Sequence, residues 1–338
     1  MAGLPPLALT PTTAAVTVDA IASRFFAYQR ELPLMPPSLA PRAPNRTLVG
    51  ILFMLAASSL FPVMNGLVQV LSASYSTEQI VWARAASHFV FIIAVFVPSI
   101  GPSVLRTATP RWQIIRSMVH LMSMLFFFTG VKYLPLAKAA SISFTAPFFV
   151  ALLAWPMLGE RMTFNRLIAV IVAFLGVLVV IRPGSDVFQW ASLYMVCSAM
   201  CYGLYQILTR RVAGYDSAET TAVYSALVGT VVMSLVLPFV WTDIASWWDA
   251  ALLFSLGIIG GTAHYFVARA MVYAQANVIA PFGYWQLIGS VIVGYIISGY
   301  LPDMFTWLGA GIIVCAGLHI AWSETRPRAA AGAQRQEA

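Results

Sequence analysis

Two pairs of basic side chains stand four residues apart inside apolar stretches, Arg84 with His88 and Arg116 with His120. Three more basic residues, His264, Arg269 and His319, stand in other apolar stretches. Spacing of four puts both members of a pair on one helical face. An ionisable group is costly to hold in apolar surroundings, so each of these raises a functional hypothesis. For Arg84 the choice is between ligand contact and a tie to a neighbour's carbonyls. Arg116 lies near the end of its stretch, where its long stem would carry the charge out to the interface. His120 and His319 read as packing histidines. His264 and Arg269 are the better candidates for substrate contact, because Gly260-Gly261-Thr262 precedes them and lets a backbone or ligand approach closely.

The acids tell the opposite story. Asp19, Glu31, Asp186, Asp216, Asp243, Asp249, Glu324 and Glu337 fall in loops or tails, and Glu78, Glu160, Glu219 and Asp303 fall at the ends of apolar runs. Cation coupling usually needs a buried carboxylate, which favours a facilitator or exchanger over a proton symporter, although a buried histidine could relay protons.

Neutral groups complete the candidate set. Asn65 follows Pro62, which lacks an N–H and frees a carbonyl in the preceding turn, close to Ser58 and Ser59. Tyr202 and Gln206 share one helical face, and Phe144, Tyr265, Tyr284, Trp285 and Gln286 add aromatic and amide groups. Together these would stack a flat ligand and fix it by hydrogen bonds. The alternative for each is helix packing. Cys197 and Cys201 share a face without a His or acid beside them, so small apolar packing suits them better than a metal. Ser255 and His264 could serve a hydrolase, but no Gly-x-Ser-x-Gly turn is present. No cofactor and no metal is expected.

The elements that must position these groups follow from composition. Sixty per cent of the 338 residues are hydrophobic and 9% are charged, against roughly a quarter charged in soluble domains. Mean hydropathy is +0.82. This is the composition of an all-α integral membrane protein, since lipid offers the backbone no hydrogen-bond partners and the runs lack strand-like alternation. The net charge of +7 is spread singly or in pairs between apolar runs, which argues against nucleic acid as a partner.

Ten apolar runs, each near the roughly 20 residues a hydrocarbon core requires, are predicted at 48–71, 77–98, 111–131, 136–158, 163–181, 189–210, 218–240, 248–272, 277–299 and 304–323. Thr77, Thr163, Ser217 and Asp303 are plausible caps. Residues 1–47 are rich in Pro, Ala and Thr and predict a disordered cytoplasmic tail, with Met35 as an alternative start. Residues 324–338 form a second tail. Lys and Arg outside the runs divide unequally. Arg24, Arg30, Arg42, Arg46, Arg106, Arg111, Arg161, Arg166, Arg210, Arg211, Arg326, Arg328 and Arg335 fall on one side, and Lys132, Lys138 and Arg182 on the other. The rule that places positive charge inside puts both termini in the cytoplasm.

The chain also repeats itself. A shift of 140 residues matches Ser58 with Ser198, Tyr133 with Tyr273, Ala140 with Ala280, Phe144 with Tyr284 and Gly159 with Gly299. Five runs per half, over 48–182 and 188–323, require the second half to insert upside down. Such inverted repeats are the construction of secondary transporters, with the ligand near the midplane between halves.

Several local motifs extend this reading. They are Trp82-Ala83-Arg84, Tyr133-Leu134-Pro135-Leu136-Ala137 leading to Ala140, Leu158-Gly159-Glu160-Arg161, and Ala270-x-x-Tyr273-Ala274 followed by Ala280-Pro281-Phe282-x-Tyr284-x-Gln286. In their order they resemble the drug/metabolite transporter superfamily of the EamA-domain type, from about Leu48 to Trp322. The last motif is similar to members related to vitamin, nucleoside-like and S-adenosylmethionine uptake. Tyr300 departs from the pattern, standing where the first half has Glu160. The resemblance implies alternating access without ATP hydrolysis, in the bacterial inner membrane. The expected cargo is a small polar or heteroaromatic metabolite, such as a riboflavin-like vitamin, a nucleoside-like compound or an amino acid, with uptake ahead of efflux. Besides the substrate the partners are the lipid bilayer and, as an open alternative, a second copy in a homodimer. A non-transporting scaffold or sensor is the remote alternative. The substrate-contact set is Asn65, Arg84, Phe144, Tyr202, Gln206, His264, Tyr265, Arg269, Tyr284 and Gln286.

Overall fold

The computed structural model describes residues 47–159, 163–184, 189–274 and 276–325. The N-terminal segment, the C-terminal segment and the Glu160-Arg161 corner, on which the sequence raised expectations, lie outside these residues. Twelve α-helices carry the ten predicted spans: α1 Thr47–Leu71, α2 Thr77–Ile100, α3 Pro110–Tyr133, α4 Leu136–Ser143, α5 Ala146–Leu158, α6 Phe164–Ile181, α7 Ala191–Val212, α8 Ala218–Val236, α9 Trp247–Tyr273, α10 Ala276–Gly283, α11 Trp285–Ser298 and α12 Met304–Thr325. Among the described residues nine segments are long and apolar enough to cross a membrane. The last, α12, has 22 residues, which at 1.5 Å per residue span about 33 Å.

The fourth and ninth spans are each two helices rather than the single runs predicted. Both breaks are one tight turn. The Thr145 N–H donates to the Ile142 carbonyl (3.0 Å) and the Tyr284 N–H to the Pro281 carbonyl (3.2 Å), three residues back instead of four. Pro147 and Pro281 lack the N–H that would continue the helical ladder. Backbone angles at Phe144, Thr145 and Tyr284 stay helical, so each span is pinched more than bent.

Equivalent elements end alike. Gly159 and Gly299 terminate α5 and α11 in the left-handed region at φ +70° and +65°, where a Cβ is strained. Their N–H groups donate to the Trp155 and Tyr295 carbonyls. Thr163 and Asp303 cap the following helices, accepting from the Arg166 and Thr306 N–H groups at 3.4 and 2.8 Å. Ser217 caps α8 as expected, whereas Ser76 rather than Thr77 caps α2.

Packing repeats too. The first span lies along the eighth as the sixth lies along the third, the second along the eighth as the seventh along the third, and the first along the ninth as the sixth along the fourth. The second and seventh spans pair, as do the fifth and tenth. With five spans per repeat, equivalent helices run in opposite directions, and this contact pattern is that of two inverted halves.

Candidate functional site

A cavity of about 320 Å³ opens inside the bundle, at the lower end of the roughly 300–1,000 Å³ usual for small-molecule sites. Seven spans wall it. Phe61, Met64 and Asn65 come from the first, Arg84 from the second, and His120, Ser123, Met124, Phe127 and Phe128 from the third. The fourth supplies Ala140, Ser143, Phe144, Ala146 and Pro147 around its break. From the second repeat come Ser198, Ala199, Tyr202 and Gln206 of the sixth span, His264 of the eighth and Gln286 of the ninth. The fifth, seventh and tenth spans stay outside.

Seven of the ten residues expected to contact substrate therefore line one cavity: Asn65, Arg84, Phe144, Tyr202, Gln206, His264 and Gln286. The structure places the other three elsewhere. Arg269 donates to the Tyr273 hydroxyl one turn away (2.6 Å) and stacks on its ring at 5.0 Å. Tyr265 is 40% exposed on the outer side of α9. Tyr284 turns its hydroxyl against Gly317 of the tenth span, where any Cβ would displace it, and offers the site only its packing against Phe144, ring centroids 5.0 Å apart.

His120, read as a packing residue, stands in the cavity wall with its ring 4.4 Å from that of Tyr205 and its Nδ1 without a partner. Its four-residue spacing from Arg116 was the available signal. Ser123 and Ser198 were not singled out as ligand groups. They clamp the third span to the sixth, each hydroxyl donating to the other's carbonyl at 3.0 and 2.8 Å. His264 lies between Phe61 (5.1 Å) and His88 (6.2 Å).

The two arginines separate clearly. Arg116 does not reach for the interface. It is fully buried and donates to the Thr221 carbonyl (2.5 Å), Ser225 Oγ (2.8 Å), Thr209 Oγ1 (3.2 Å) and Gln113 Oε1 (3.2 Å). It ties together the third, sixth and seventh spans. Arg84 is 6% exposed and, among the described residues, hydrogen-bonds to no carbonyl, hydroxyl or carboxylate; it rests on the Met64 and Met124 sulfurs and beside the Phe128 ring.

The bundle is latched at both ends by equivalent loops. At one end Asp216 accepts from Thr107 Oγ1 (2.6 Å), Thr109 Oγ1 (2.7 Å), the Ala108 N–H (2.8 Å) and Gln113 Nε2 (2.9 Å). Partial burial pushes its carboxyl up, but the bonds from Thr107, Gln113, Thr109 and Ala108 together outweigh this and hold it below the ordinary carboxylate range. At the other end Tyr75 Oη donates to Asp249 (2.7 Å), and the Gln79 amide pairs with both backbone groups of Thr242, at 2.8 and 2.9 Å. On that side Arg182 also forms an ion pair with Asp303, joining the fifth span to the tenth.

A wall drawn from both inverted halves, with a latch at each end, is the arrangement a carrier needs. The EamA-like transporter family matches the chain twice, over residues 48–182 and 189–322. The chain belongs to that family. Among curated relatives, a riboflavin transporter of Rhizobium johnstonii is 28% identical over 84% of this chain and 94% of its own length. An S-adenosylmethionine uptake transporter of Rickettsia felis is 31% identical over 71% of this chain and 82% of its own. A pseudopaline exporter of Pseudomonas aeruginosa is 27% identical over 79% and 94%. This EamA-like chain is thus a multi-pass membrane transporter of small molecules.

Proposed function

We propose that the chain carries a small, flat organic metabolite across the bacterial inner membrane by alternating access, with uptake as its working direction and both termini in the cytoplasm. The observation that carries this reading is a cavity walled by both repeats. Its aromatic lining suits a planar body, and Asn65, Tyr202, Gln206 and Gln286 supply amide and hydroxyl contacts. The latches suit the switch. Each holds a few hydrogen bonds worth about 1 kcal/mol net apiece, so the two closed ends differ by little and thermal motion can exchange them. The asymmetry of Lys and Arg between loops supports the orientation, with the Asp216 latch cytoplasmic and the Tyr75–Asp249 latch on the far side. The S-adenosylmethionine relative is named for uptake, which supports that direction. The exporter supports efflux as the second reading.

The test is flux of radiolabelled riboflavin and S-adenosylmethionine into proteoliposomes. We expect at least one to accumulate or exchange, a Tyr202→Ala/Gln206→Ala double variant to lose about tenfold or more in rate (about 1.4 kcal/mol), and Arg269→Ala to transport normally. Loss of flux in Arg269→Ala with the double variant unaffected would move the site out of the cavity.

A further inference from the structure

We infer that the transported molecule presents a carboxylate to Arg84. This rests on the transport reading and adds to it the charge of the substrate.

A guanidinium is ionised at neutral pH and offers five N–H donors. Arg84 is 6% exposed, yet the atoms it meets are two thioether sulfurs, at 3.4 Å (Met64) and 2.6 Å (Met124), and the Phe128 ring at 6.0 Å. Thioethers are weak acceptors, and a phenyl face offsets only a fraction of a desolvated charge. Among the described residues the cavity wall contains no acid. The acids whose surroundings are described, Glu78, Asp216, Glu219, Asp243, Asp249 and Asp303, sit in loops or first helical turns. Arg116 is the internal control. A buried arginine kept for structure in this same bundle finds a carbonyl and side-chain oxygens. Leaving a buried charge unpaired is strongly destabilising, so the missing anion belongs to something that enters the cavity.

The surroundings narrow that anion. Gly260 lets the guanidinium and the Met64 sulfur pack closely on α9, since a Cβ there would stand 3.4 Å from Nη2 and 2.9 Å from that sulfur. Asn65, 5% exposed in the same wall, holds its amide oxygen without a partner, so a ligand donor placed near the anionic group would be satisfied. A single guanidinium balances a carboxylate's one negative charge. A phosphate monoester, at about −1.5 to −2, would leave charge unpaired in an acid-free, mostly apolar chamber. With Phe61, Phe127 and Phe144 forming much of the remaining wall, the substrate class is a planar or apolar body bearing one carboxylate.

Matched pairs test this in the purified full-length protein. Thermal unfolding is followed with nicotinate against nicotinamide, indole-3-acetate against indole-3-acetamide, and riboflavin against riboflavin phosphate. We expect at least one carboxylate to raise the melting temperature at millimolar concentration while its amide does not. Arg84→Gln should weaken that carboxylate about ten- to a hundredfold, with Arg84→Lys intermediate. Equal stabilisation by acid and amide, preference for riboflavin phosphate, or stabilisation by neutral compounds alone overturns the proposal; so does a panel in which no carboxylate acts. The comparison within pairs on the unaltered protein holds even where Arg84→Gln fails to fold. Flux assays on the same compounds keep the two readings apart. Movement of riboflavin without any carboxylate preference defeats the charge assignment alone, and carboxylate binding without flux defeats transport alone.

Discussion

Gly159 and Gly299 end equivalent helices in the same left-handed conformation, whereas Arg84 and the residue 140 positions later, Tyr224, share neither surroundings nor task. Tyr224 reaches the Leu105 carbonyl (3.2 Å) at one end of the bundle, and Arg84 lies in the cavity wall. The second repeat keeps the caps, the breaks and the pairing of spans, and drops the charge. Caps and breaks are fixed by backbone hydrogen bonds that any copy of the fold must satisfy. A ligand group needs to be supplied only once to a cavity that both halves wall. The latches show the same rule. At one end the loop before α8 brings the acid, Asp216, and the loop leading into α3 brings the donors. At the other the equivalent short loop brings the phenol donor, Tyr75, and α9 brings the acid, Asp249.

The strongest way to break this comparison lies at a close backbone approach between the repeats. Gly257 of α9 lies against the Ser87 and His88 backbone, and its N–H donates to Ser87 Oγ at 3.1 Å. At the equivalent contact the third span carries Ser117, which is fully buried. Gly257→Leu should abolish the folded protein, read as loss of a monodisperse peak in detergent, because backbone rather than a flexible side chain would have to move. A folded Gly257→Leu protein would mean that the second and eighth spans are not held as the third and seventh are.

Next in size is Asp216→Asn. Its charge-assisted bonds should be worth roughly 1–3 kcal/mol together. Because the folded carboxyl is held below its unfolded value, its contribution is complete above the ordinary carboxylate range near pH 4 and is lost as pH falls through the depressed folded value. Melting temperatures measured from neutral to acid pH should therefore converge for the native protein and the Asn variant at the acid end. Parallel curves would remove Asp216 as the acid of its latch. The smallest expected effect is the most direct test of duplication: Gly159→Ala and Gly299→Ala should each cost about 1 kcal/mol. A cost confined to one of them would show that only one corner needs its left-handed turn.

Much of this was legible in the residues. Apolar length alone located the spans, because a helix crossing lipid must satisfy its own backbone over a set distance, and the offset of a cap by one residue, Ser76 for Thr77, lies within the fraying of helix ends. The pinches at Phe144 and Tyr284 were hidden by the continuous apolar runs around them, although Pro147 and Pro281 marked the places. Which way a side chain points was harder. A soluble helix declares its inner face by polarity; α9 is apolar on all sides, so nothing separated His264, which faces the cavity, from Tyr265, which faces out. The four-residue spacing of Arg269 and Tyr273 did encode their pairing within one helix, and Arg116 with His120 encoded a shared direction without saying which.

The contact between Phe144 and Tyr284, 5.0 Å between ring centroids, has a further consequence. Two positions related by the 140-residue shift touch each other, so the pseudo-twofold axis passes between them. In an antiparallel pair of two identical five-span halves this residue would meet its own copy, as residues on the dyad of any isologous dimer do. Because one chain carries both halves, the two sides of that axis are free to differ, and a phenol at Tyr284 stands beside a phenyl at Phe144 where the halves meet.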